Sequence, residues 1–282
     1  SANEILLYAL KRSTENPEIL PDRIYDEYIS TRYGKKALEP VKNAFKKAYD
    51  IVLSSMYILG TNAAKHSSMD YDPYSSSYDR HVSGRWLEPP VVFVEHGINK
   101  EFHYWKDIIN HIAPARFKTK DSRLGLEARY VIDQNWVTPV ELMDSLYLSY
   151  IITEKRYGVS LANEALADIE RAKDLLNPSD YDDLYRLFKR TALTAQLYEA
   201  VSTAYFGFRI YAKGKSYRYE NLEEQIRSAL NRIDLVTDEM KGMQGEYPLG
   251  QWDWLKDAET ALSYKNKILT GWKEYNNVKF TQ

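Results

Sequence analysis

The chain has no cysteine, which excludes disulfides, thiolate zinc sites and thiol nucleophiles while leaving the compartment open. Its 12 glycines stand singly, so no Walker-type or dinucleotide-type phosphate loop forms, and nucleotide binding through such a loop is excluded. Neither a Gly-x-Ser-x-Gly elbow nor a His-Glu-x-x-His pair occurs. Long apolar runs are missing too: Ile51 to Leu59 is broken by Ser54 and Ser55 and falls well short of the roughly 20 residues a bilayer span needs. An excess of one charge is likewise absent. Lys+Arg total 38 and Asp+Glu total 40, interspersed, for a net charge of −2, and such a surface does not draw in nucleic-acid backbones or anionic lipid. No basic segment followed by an apolar one opens the chain, so the reading is either a cytoplasmic protein or one whose leader has been removed.

What is present is helical periodicity. The 282 residues suffice for one large core or two smaller ones, and the expected fold is all-α, a multi-helix up-and-down bundle with a long irregular insert. Three regions follow. Residues 1–60 hold two short helices, Ala2 to Thr14 and Pro21 to Arg32, separated by the Asn16-Pro17 turn. A longer helix comes next, with Leu38, Val41, Phe45, Ala48, Val52 and Leu59 on one face and Gly60 at its end. Pro40 is tolerated there because it lies in the first turn.

Residues 61–137 lose the rhythm, with Ser75-Ser76-Ser77, Pro73, Pro89-Pro90 and Pro114; only a turn at Ile108 to Ile112 and a short strand at Val91 to Val94 suggest themselves. An insert of this length is unusual in a compact domain unless it binds something or packs on a neighbour.

Residues 138–282 return to helices. Thr138-Pro139-Val140-Glu141 reads as a capping box, and Gly158 as the end of that helix. A second helix runs from Ser160 to Leu176. A third starts at Asn177-Pro178 and carries Leu184, Leu187, Thr191, Ala195, Tyr198, Val201, Tyr205 and Phe208 to the break at Lys213-Gly214-Lys215. A fourth is capped by Asn221, buries Leu222, Ile226, Leu230, Ile233, Val236 and Met240, and closes at Gly242. A fifth begins near Asp253 and buries Leu255, Ala258, Leu262, Leu269 and Trp272.

All five histidines, His66, His81, His96, His103 and His111, fall in the insert. Their spacing does not put two ligands on one helical face, His103 with Asp107 excepted, so no metal site and no cofactor are assigned. Tyr71, Tyr74, Tyr78 and Trp86 alternate there with Asp70, Asp72 and Asp79. Rings beside hydrogen-bond acceptors suit a sugar, and Tyr71, Tyr74, Trp86 and His66 are the candidate substrate-binding residues. The same stretch also suits a surface loop pinned by its own tyrosines, just as Gln251-Trp252-Asp253-Trp254 suits a packed plug between helices. No carboxylate pair stands out for glycoside chemistry, and no catalytic residue is assigned.

The opening Ala2-Asn3 with Leu7-Tyr8-Ala9-Leu10, then Asn16-Pro17-Glu18 and Tyr25-Asp26-Glu27-Tyr28-Ile29, resembles the segment leaving the catalytic barrel in glycoside hydrolase family 67, the α-glucuronidases. Leu59-Gly60, His66 and Tyr71-Asp72-Pro73 are similar to the Leu-Gly, His and Tyr-Gly-Pro elements that follow. The helices around Tyr157-Gly158-Val159 and Arg190 to Phe206 resemble the family's closing hairpin. The resemblance spans about residues 2 to 212. It implies a C-terminal helical domain without catalytic residues of its own, since those belong to a (β/α)₈ barrel, and an alternating strand and helix pattern is missing here. The implied partners are that barrel, a carbohydrate and a second copy of the chain. A free-standing helical interaction module and a complete enzyme using the histidine-bearing insert are the alternatives.

Overall fold

The computed structural model describes residues 4–58, 61–62, 64–65, 68–69, 145–212, 221–246 and 254–279. Its fold is an all-α multi-helix bundle. The α-helices are α1 (Glu4–Glu15), α2 (Pro21–Arg32), α3 (Leu38–Met56), α4 (Ser145–Arg171), α5 (Pro178–Ala212), α6 (Leu222–Glu246) and α7 (Trp254–Lys279). One-turn 3₁₀ helices at Lys35–Ala37 and Lys173–Leu175 precede α3 and follow α4. Two minimal antiparallel ladders interrupt this pattern: β1 (Tyr57–Ile58) with β2 (Thr61–Asn62), and β3 (Ala64–Lys65) with β4 (Ser68–Met69).

The sequence dictates most of the boundaries. Pro21 starts α2, where its fixed φ suits the first turn and its missing N–H has no bond to make. Gly34, at φ 90°, lets the chain leave α2 in the left-handed region. The Asn16 side chain accepts from the Glu18 N–H at 3.2 Å and so forms the turn after α1. Asn177 Oδ1 accepts from the Asp180 N–H at 2.9 Å, the N-cap that a Pro178 start calls for.

The chain forms two compact units, one of residues 1–51 and 160–193, the other of residues 52–159 and 194–282. Three helices, α3, α4 and α5, each contribute a stretch to both.

In the first unit α1 and α2 form an antiparallel hairpin. Tyr8 meets Tyr28 at 5.5 Å between ring centroids, and Arg12 Nε donates to Glu27 at 2.9 Å. Lys42 and Lys46 of α3 reach back to Asp26 and Asp22 of α2 at 2.5 and 2.7 Å. Ile29, Val41, Ala44, Ala162, Ala165, Ile169 and Leu193 make the dry centre, with Phe45 edge-on to Phe188 at 5.8 Å. Small residues on the α4 stretch let its neighbours approach closely.

In the second unit α5, α6 and α7 run up, down and up. Tyr211 contacts Glu223 and Glu199 contacts Arg232, so α6 descends along α5; Asp234 pairs with Lys265 and Arg227 lies over Trp272, so α7 ascends along α6. All six residues expected on the inner stripe of α6 are buried. The β4 strand lies against α7.

Five expectations need correction, the first that Val52 shares the inner face of α3: it is 45% exposed, and Ile51 and Leu53 on either side turn inward. The helix α3 stops at Met56, short of Gly60, because Tyr57 and Ile58 enter a strand. Gly158 ends nothing: α4 runs through it unbroken, because the helix needs a residue without a side chain there. A Cβ at 158 would sit 2.9 Å from Ser55 Oγ and 3.1 Å from Ser54 Cβ. Gly242 likewise lies inside α6, which continues to Glu246. Leu269 is 38% exposed instead of buried; Ile268, beside it, is the residue that turns inward.

The glycines of the second unit make opposite predictions. A Cβ on Gly207 would meet Ile226 Cγ1 at 2.9 Å, whereas one on Gly242 meets nothing within 4 Å. Gly242→Ala is expected to raise stability by roughly 0.5–1 kcal/mol through reduced backbone entropy. Gly207→Ala is expected to lower it by roughly 1–3 kcal/mol through overpacking between α5 and α6. Urea unfolding of the two variants checks this, and an equal gain from both would refute the close approach at Gly207.

Candidate functional site

The candidate glycan-contacting residues His66, Tyr71, Tyr74 and Trp86 lie outside the described residues. So do His81, His96, His103 and His111, Asp107, the Thr138 capping box, the Val91 to Val94 strand, the Ile108 to Ile112 turn and Gln251 to Asp253. The backbone flanking His66 is described: Ala64 pairs with Met69 and Lys65 with Ser68. Among the described residues, no group of three or more His, Asp or Glu is placed to hold a metal ion.

The second unit instead holds a buried polar cluster. On α4, Leu148, Ile151, Lys155, Gly158, Ala162, Ala165 and Ile169 step by three or four residues, and all are buried. Lys155 falls on that same stripe, so the helix carries its ammonium inward. Glu154 and Lys155 are both 0% exposed, with Lys155 Nζ 3.1 Å from Glu154 Oε2. Nζ also donates to the Ser54 carbonyl at 2.6 Å. Ser54 lies in the last turn of α3, where carbonyls lack partners further along the helix and the helix dipole favours a positive charge. Lys155 is thus a C-terminal cap for α3, delivered from another helix.

Burial pushes the Lys155 ammonium below its ordinary value, and the Glu154 carboxylate works against that shift. A lysine so lowered belongs to the chemical class of nucleophilic amines. Here the side chain is fully enclosed, so no substrate reaches Nζ while the bundle stays closed. Beside it, Ser55 Oγ is buried and has no hydrogen-bond partner among the described residues. Further along, Glu199 of α5 is 4% exposed and lies between Arg232 at 2.8 Å and Arg156 at 3.6 Å. The periodicity of α4 was the signal that could have located Lys155 from sequence.

In the first unit an open groove of about 880 Å³ runs along α1 and α2, lined in part by Tyr8, Lys11, Arg12, Arg23 and Glu27. Its charges are mutually paired. Arg12 holds the Glu27 carboxyl below its ordinary range, and Lys46 does the same for Asp22. The helix α1 buries no residue, and its Leu6, Leu7 and Leu10 are 66%, 67% and 67% exposed. Their spacing of three and four residues places them on one face.

No family model, curated protein or solved structure matches the chain.

The paired carboxylates predict an acid dependence. Their folded-state pKa values are depressed, so the unfolded chain binds these protons more tightly. The stability they contribute is complete above about pH 4.5 and is lost as pH falls through the folded values. Melting followed at 222 nm from about pH 7 to pH 3 is expected to show a smaller acid-induced drop for Glu27→Gln than for the parent. Parallel curves would mean that the Arg12 to Glu27 contact contributes nothing.

Proposed function

We propose that the chain is a non-catalytic helical domain of an α-glucuronidase-like glycoside hydrolase, and that it supports the catalytic barrel. The observation that carries this reading is the exposed leucine face of α1. A helix with no buried residue, anchored to α2 by rings and ion pairs, turns three leucines to solvent, and contiguous exposed apolar surface marks an interaction site. The resemblance supplies the occupant, since in family 67 the segment resembling α1 directly follows the barrel. Dimerisation and glycan contact are further roles under the same reading, with His66, Tyr71, Tyr74 and Trp86 as the proposed sugar-contacting residues. The runner-up is a free-standing interaction module, which the same leucine face would serve.

The coding sequence upstream of Ser1 separates the two. Several hundred residues of alternating strand and helix are expected there, and an initiation codon immediately before Ser1 would remove the hydrolase reading. Given that barrel, co-expression with this chain should yield a complex that the double variant Leu7→Asp, Leu10→Asp weakens by roughly a hundredfold to ten-thousandfold. Each buried leucine contributes about 1.5–3 kcal/mol. Unchanged association would place the interface elsewhere. Clear turnover of aryl glycosides by this chain alone would overturn the non-catalytic assignment.

A further inference from the structure

We draw no further inference here: the strongest candidate, the buried Ser54, Ser55, Glu154 and Lys155 cluster where α3 ends against α4, is fully enclosed and serves as a helix cap, and nothing in the structure shows a ligand, substrate or partner that would reach it.

Discussion

Lys155→Met is expected to destabilise the chain by about 3–5 kcal/mol, among the largest effects of any single substitution in it. Methionine fits the volume, so the loss is electrostatic. The Ser54 carbonyl loses a charged donor at 2.6 Å, and the Glu154 carboxylate, 0% exposed, loses the ammonium 3.1 Å away. Restoring neutrality should recover much of this. In the double variant Glu154→Gln, Lys155→Met, both charges of the pair are gone, and replacement of a whole buried pair is often neutral or favourable. A double-mutant cycle by urea unfolding measures the coupling, and additive losses would show that the two side chains act independently.

The same residue gives a sign at high pH. Its folded-state pKa lies below the ordinary 10.5, so as pH rises through the folded value toward 10.5 the native state releases the proton before the unfolded chain does. Stability from this group therefore rises over that window, and the parent should gain relative to Lys155→Met there. A gap that narrows instead would mean that the ammonium is better solvated than its burial implies.

How far the sequence reached follows from what each residue reports. Pro21 and Asn177-Pro178 act locally, through φ or through a bond to a neighbouring N–H, and each marks a helix start where expected; α6 also starts just after Asn221, which takes a left-handed φ of 63° and gives no side-chain cap among the described residues. The α6 stripe was legible because helical period alone decides which side faces inward. Glycine was misleading for the opposite reason. At 158 its role depends on Ser54 and Ser55, about a hundred residues away, and no local pattern reveals what lies across a helix interface. Lys155 is hard to place from sequence because charged residues ordinarily lie at the surface, although its register among Ile151, Gly158 and Ala162 points inward. The candidate sugar contacts came from composition in residues 61–137, where periodicity offers no guide to which rings face one another.

Trp272→Ala is the second large effect. The indole sits on α7 against two rings of α5, Phe208 at 5.5 Å and Tyr211 at 5.1 Å, both stacked, and the Arg227 guanidinium of α6 lies 5.1 Å from its centre. One side chain thus joins three helices, and it is 7% exposed. Its removal takes away apolar burial, the stacking and the cation–π contact together, for an expected loss of about 3–5 kcal/mol. Two controls apportion that loss. Trp272→Phe keeps a ring between Phe208 and Tyr211 and should recover more than half of it. Arg227→Gln removes the largely exposed cation together with its surface pair to Glu223, and should cost under about 1 kcal/mol. Gly271 constrains how α7 can respond, because a Cβ there would lie 3.0 Å from the Phe208 ring, so the helix is already seated as close to α5 as its backbone allows. The cavity left by alanine therefore cannot close by moving α7 inward at that level, which places the expected cost toward the upper end of the range. Unfolding midpoints for the three variants decide the matter, and a loss below about 1 kcal/mol for Trp272→Ala would show that the three helices hold together without the indole.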